Sequence, residues 1–185
     1  MTFKTIVGIV LGAMLANNYA LEKFLGAAPL LGWSSQEKKV TALGSSVTIA
    51  MFFTAILAAL VQEFVLDVHS LGYLQTLVYA VIVLIVVYAM ELVAKIGGKS
   101  LGIYFPIIAL NSAVLGAAVN NAADSLNLGV SILTAWGAGM GFWLALAAFA
   151  AVRAKIRERY VPKAWRGLPI YLLTAAILSM ALLAF

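Results

Sequence analysis

From Tyr73 to Met90 the chain runs for eighteen residues without a single charged side chain, and Val, Ile and Leu fill most of the stretch. That approaches the roughly 20 residues a helix needs to cross the hydrocarbon of a bilayer. Similar runs extend from about Val40 to Val61 and from about Leu128 to Val152. Inside lipid no water is available to the backbone, so such runs must satisfy their own N–H and C=O groups as helices. Composition points the same way. The chain is 64% hydrophobic and 10% charged, whereas an ordinary soluble domain is about half apolar and a quarter charged. The sequence therefore predicts an all-α integral membrane protein, with residues 1–185 forming a single transmembrane domain.

Six spans account for the apolar runs. The first, Thr5 to Leu31, is one long broken helix. Lys4 followed by an apolar stretch has the outline of a leader peptide, but apolar character resumes at Tyr19 and runs on. The others are Val40–Val61, Tyr73–Val93, Leu101–Asn121, Leu128–Val152 and Leu168–Phe185, the last leaving no soluble C-terminal domain. An even number of spans puts both chain ends on one side. The loops after spans one, three and five hold Lys38, Lys39, Lys95, Lys99, Arg153, Lys155, Arg157, Arg159, Lys163 and Arg166, against Lys4 alone on the other side. The positive-inside bias makes the basic side cytoplasmic and turns both termini outward. The same bias explains the net charge of +5 without a nucleic-acid partner.

Two spans carry interruptions. Leu101–Gly116, LGIYFPIIALNSAVLG, has Pro106 in an apolar run, then the polar pair Asn111 and Ser112. A proline there removes one donor and is expected to free the carbonyl of Gly102. Phe24–Gly32, FLGAAPLLG, has Pro29 between Gly26 and Gly32. Interrupted spans at corresponding places in two halves point to a site near the bilayer midplane, built by two inverted repeats. The expected fold is thus two inverted three-helix repeats, about 1–96 and 97–185, with helices one and four broken. Gly26, Pro29, Pro106 and Asn111 are expected at the site. Gly8 with Gly12, and Gly137 with Gly139 and Gly141, are candidate surfaces for close helix packing.

Much chemistry is excluded. With no cysteine, the chain has no disulfide and no thiolate metal site or nucleophile. His69 is the sole histidine and reads as a solvated loop residue. Gly98-Lys99-Ser100 resembles the end of a phosphate-binding loop, but Val93 stands where the first glycine belongs. Glu22 and Lys23 form either a functional pair within the membrane or a snorkelling lysine beside a watered carboxylate. Glu91 and Lys95 read as an i,i+4 pair at a helix end. Arg153–Arg166 reads as a cytoplasmic anchor or a docking surface for a peripheral partner.

The pieces NNYALEKFLGAAPLLG, KSLGIYFPIIALNSAVLG and WRGLPIYLLTAAILSMALLAF resemble the Rnf/Nqr family of membrane subunits. They are similar to the RnfA subunit of the ion-translocating ferredoxin:NAD oxidoreductase and to NqrE of the sodium-pumping NADH:quinone reductase. The resemblance implies six spans, outward termini and a place in the prokaryotic cytoplasmic membrane. It also implies a sister subunit of the RnfE/NqrD kind, with flavin and nicotinamide sites carried by other chains of the complex. The chain would move no electrons alone, and the complex would couple redox change to transport of sodium ion or proton.

In the family, two cysteines of this subunit, with two of its sister, hold a mid-membrane [2Fe-2S] cluster. Their positions here are Ala28 and Ser112. Alanine cannot ligate, and a serine hydroxyl poorly replaces a soft thiolate. The resemblance therefore implies the scaffold more firmly than the cluster. Two other readings remain at this point. One is a cluster-free transporter or channel using Asn111, Ser112 and freed carbonyls, and the other is a structural assembly subunit.

Overall fold

The computed structural model describes residues 3–33, 37–98, 101–102, 104–123 and 127–182. Part of the first polar loop, Ser34–Gln36, lies outside the described residues, as do Lys99, Ser100, Asp124 and Phe185. Eight α-helices are present among the described residues: α1 Phe3–Leu11, α2 Ala27–Trp33, α3 Glu37–Val61, α4 Gln75–Ile96, α5 Tyr104–Ala109, α6 Ser112–Ala123, α7 Leu128–Lys155 and α8 Leu168–Leu182. A π-helical turn at Gly12–Ala16 extends α1, and another at Gln62–Leu66 extends α3. Four segments are long and apolar enough to cross a membrane: Val40–Leu66, Gly72–Ile96, Tyr104–Ala123 and Leu128–Lys155. Phe3–Ala16 and Leu168–Leu182 are apolar but shorter.

The two prolines act differently from the sequence expectation. Pro29 and Pro106 each occupy the third position of a short helix, α2 and α5. In a first turn the missing N–H has no intrahelical partner to lose, so proline starts a helix there without cost. The carbonyl of Gly102 is not freed, because the Phe105 N–H bonds to it at 3.2 Å. The chain breaks elsewhere, over Asn17–Gly26 before Pro29 and at Leu110–Asn111 after Pro106.

The helix α7 is central and packs most extensively on α3. Leu43, Val47 and Met51 of α3 and Phe142, Leu146 and Phe149 of α7 are fully buried, with Ile108 of α5 and Val114 of α6 in the same core. Glycines set the approach of the helices. A Cβ on Gly137 would lie 2.7 Å from the carbonyl oxygen of Val10, and one on Gly141 would lie 2.6 Å from that of Met14. On the opposite face of α7, a Cβ on Gly139 would lie 2.8 Å from Cα of Thr48. Residues two apart on a helix point about 200° apart, so this alternation seats α7 between the first segment and α3. Without a solvent-driven hydrophobic term between helices in lipid, such close backbone packing is the main attraction. Gly8 and Gly12 play no such part, since nothing lies within 4 Å of a Cβ at either position.

The last turn of α7 is pinned to the short helix α2. Nη1 of Arg153 donates to the carbonyl of Leu31 at 2.8 Å, and its guanidinium sits 4.1 Å from the centroid of the Tyr171 ring. Arg153 is thus a brace between three elements rather than part of the free basic loop. Arg153→Ala removes a charged hydrogen bond and a cation–π contact, together worth about 2 kcal/mol. Thermal denaturation in detergent should show Arg153→Ala clearly below the parent, and an unchanged midpoint would refute the brace.

Candidate functional site

The two breaks meet. The N–H of Gly26 donates to Oγ of Ser112 at 2.9 Å across 86 residues of sequence. The first break reverses tightly, with Phe24 at φ 53° and Gly26 at φ 74°. A phenylalanine in the left-handed region is strained, and the surrounding packing holds it there. A Cβ on Gly26 would lie 2.6 Å from Cε2 of Phe142, 2.8 Å from Oδ1 of Asn111 and 3.2 Å from Cβ of Ala113. Only glycine suits both the torsion and the space.

Asn111 caps α6. Its Oδ1 accepts from the N–H of Ala113 at 2.9 Å, and its carbonyl accepts from Val114 at 3.1 Å. This satisfies donors that a helix start leaves orphaned. Asn111 is buried, and its Nδ2 has no bonding partner. A buried amide donor without a partner is costly, and it lies at the centre of the junction.

Asn18 performs the matching task in the first break and was not singled out by the sequence. It is fully buried, and all four of its bonding directions are used. Oδ1 accepts from Ala20 at 3.0 Å and Leu21 at 3.2 Å. Nδ2 donates to Met14 at 3.0 Å and to Gly141, on α7, at 2.9 Å. Ser179 of α8 adds a bond to the carbonyl of Leu21 at 2.7 Å. The available signal was Asn17-Asn18 inside an apolar stretch, since an amide in lipid needs partners.

Of the expected site residues, Gly26, Asn111 and Ser112 come together. Ala28 lies two residues beyond Gly26 on α2 and is exposed, as is Ser112. Pro29 is buried beside Ala28, whereas Pro106 is exposed on α5 and takes no part in the bonds joining the breaks. Leu110, at the second break, is 82% exposed and Phe24, at the first, 46% exposed. The junction therefore shows an apolar outer surface to whatever adjoins the chain.

The donor set does not fit an iron–sulfur cluster. The chain has no cysteine, Ala28 offers a methyl group, and Ser112 Oγ already accepts a backbone bond. Among the described residues no group of three His, Cys, Asp or Glu could hold a metal. The chain supplies no thiolate to a shared cluster.

The charged residues take ordinary places. Glu22 and Lys23 are both exposed, with Lys23 Nζ 4.8 Å from the Tyr19 ring centroid. Glu91 pairs with Lys95 at 3.4 Å, and its other oxygen accepts from the N–H of Leu101 at 2.8 Å, tying the end of α4 to the approach to α5. His69 is exposed and hydrogen-bonds through Nδ1 to Val65.

These features define a membrane helix bundle in which two interrupted segments are locked together at their breaks. The chain belongs to the Rnf-Nqr family of membrane subunits, which it matches over residues 6–185. It is 38% identical to the RnfA-type component of the Na(+)-translocating ferredoxin:NAD(+) oxidoreductase complex of Acetobacterium woodii, over 98% of this chain and 96% of that protein. It is 37% identical to the corresponding component of the ion-translocating oxidoreductase complex of Syntrophotalea carbinolica, over 98% and 96% of the two chains. The counterpart from an Azoarcus species is 34% identical over 96% and 94%.

Proposed function

We propose that the chain is a membrane subunit of an Rnf/Nqr-type redox-driven ion-translocating complex. The observation that carries this reading is the near full-length likeness to RnfA-type proteins, joined to a junction of two broken segments whose outer surface is exposed. In this reading the chain crosses the cytoplasmic membrane six times as two inverted repeats, 1–96 and 97–185, with both termini outside. A sister subunit of the RnfE/NqrD kind covers Ala28, Ser112 and Leu110. Sodium ion or proton is the transported species, and the soluble redox cofactors belong to other subunits.

With Ala28 and Ser112 at the family's cysteine positions, the chain contributes shape rather than ligands. Its own residues hold the junction closed: Gly26 and Ser112 link the breaks, while Asn18 and Asn111 tie off the backbone at each. Iron per copy of this chain, measured on the gently purified assembly, tests the electron-transfer role. Iron at cluster stoichiometry requires every ligand to come from other chains and keeps that role. No iron removes it from this sequence, and then Ala28→Cys with Ser112→Cys is expected to restore iron if only the ligands were missing.

The missing thiolates and the partnerless Nδ2 of Asn111 favour a second reading, a cluster-free transporter on the same scaffold. Ion flux through liposomes holding this chain alone would distinguish it.

A further inference from the structure

A second concavity lies away from the junction. It is a cavity of about 440 Å³ between the ends of α3 and α6, lined also by Tyr79 of α4 and by the start of α7. Small residues create it: Ala55, Ala58 and Ala59 of α3 face Ala118 and Ala122 of α6. The rest of the lining is polar, including Gln62, Glu63, Asp67 and Asn121. In lipid-embedded packing an unfilled gap between alanines forfeits contact energy on both walls, so its retention beside polar groups calls for an occupant.

The hydrogen bonds decide what that occupant is. Nε2 of Gln75 donates to the Tyr79 hydroxyl at 3.4 Å, that hydroxyl donates to Oε1 of Gln62 at 2.7 Å, and Nε2 of Gln62 donates to Oδ1 of Asp67 at 2.6 Å. The relay points its donors inward along itself and ends on a carboxylate. Asn121 is only 5% exposed, and its Nδ2 donates to the carbonyl of Ser131 at 3.0 Å, which fixes the amide orientation. Oδ1 of Asn121 is left on the lining with no bond from a described residue. The groups remaining to a ligand are thus acceptors: this buried amide oxygen, the second oxygen of Asp67 and the carboxylate of Glu63. Residues 62–74 and 120–131 contain no lysine or arginine, and His69 is exposed with its Nδ1 bonded to Val65.

We propose that this cavity is a cation-binding vestibule that takes a partly hydrated monovalent metal ion. Two carboxylates with neutral oxygens suit such an ion better than magnesium or calcium, which draw on more carboxylates or on tighter geometry. The volume admits several waters, each occupying about 30 Å³ in the liquid, so the ion keeps part of its shell. The proposal goes beyond the redox reading and does not depend on it, since binding here requires neither a sister subunit nor electron transfer.

The test uses the full-length chain in detergent, melted in rising sodium chloride against N-methylglucamine chloride at equal ionic strength. A bound ion stabilises the folded state in proportion to ln(1 + [ion]/Kd). Sodium should raise the midpoint saturably. Glu63→Gln with Asp67→Asn should move half-saturation upward by about tenfold or more, the loss expected for removing charged acceptors. Glu63 is exposed, so Glu63→Gln alone should leave folding intact and weaken binding in the same direction. Line broadening of the sodium-23 resonance should appear with the parent and diminish in the double variant. Equal midpoints in the two salts overturn the proposal, as does a double variant with the parent's half-saturation.

Discussion

Gly26→Ala is expected to be among the most damaging single-methyl additions in the chain. Its Cβ would meet Phe142 at 2.6 Å and Oδ1 of Asn111 at 2.8 Å. Neither can yield easily, because Phe142 is fully buried and Oδ1 of Asn111 already caps α6. The torsion adds to the clash, since an L-residue at φ 74° costs roughly 1–2 kcal/mol. Overpacking typically adds about 1–3 kcal/mol, so a loss of about 2–5 kcal/mol is expected. The midpoint for loss of monodisperse protein, followed by size exclusion after heating in detergent, reads this directly. Gly8→Ala is the control, as nothing lies within 4 Å of its added carbon. A Gly26→Ala protein that survives heating as well as Gly8→Ala would show that the junction is not packed as described.

That control also marks where the sequence was readable. Long apolar runs announced α3, α4 and α7, because crossing hydrocarbon fixes both length and polarity. The existence of two breaks was also legible from Gly and Pro within apolar stretches. Their location was not, because a proline marks a helix start as readily as an interruption, and only the surrounding hydrogen bonds tell which. Gly137, Gly139 and Gly141 were visible as a packing surface. Their division between two partners, and the idleness of Gly8 and Gly12, depend on which helices lie alongside. Asn111 drew attention through its place beside Ser112, whereas the role of Asn18 depends on Gly141, 123 residues away. The cavity at Gln62–Asp67 was illegible for the same reason, since its walls come from four separate helical segments.

Ala28 and Ser112 separate two properties that the family resemblance joins. The fold needs Gly26 at its positive φ and an acceptor at Ser112, and both are present. Redox chemistry through this chain needs soft ligands, and those are absent. A scaffold can therefore persist with its junction intact while the electron path through it depends wholly on other chains.

Asn18→Ala should rival Gly26→Ala by an opposite route, removing partners rather than adding bulk. Four bonds disappear at once, leaving the N–H groups of Ala20 and Leu21 and the carbonyls of Met14 and Gly141 without this partner. Side-chain bonds between membrane helices average only about 0.6 kcal/mol, but an orphaned buried group costs about 1–3 kcal/mol. The break has no continuous helix to re-form those bonds, so the higher scale applies and a loss of about 3 kcal/mol or more is expected. Asn18→Asp separates the two arms. It keeps acceptors for Ala20 and Leu21 but turns a carboxylate toward two carbonyls, so it should be no better than alanine at neutral pH. Heating in detergent again supplies the measurement. If Asn18→Ala melts within about 0.5 kcal/mol of the parent, the range of a neutral surface substitution, Asn18 does not hold the break. A large loss in both variants would place the donor arm to Gly141 at the centre of the junction, because that bond alone joins the first break to the helix carrying Phe142.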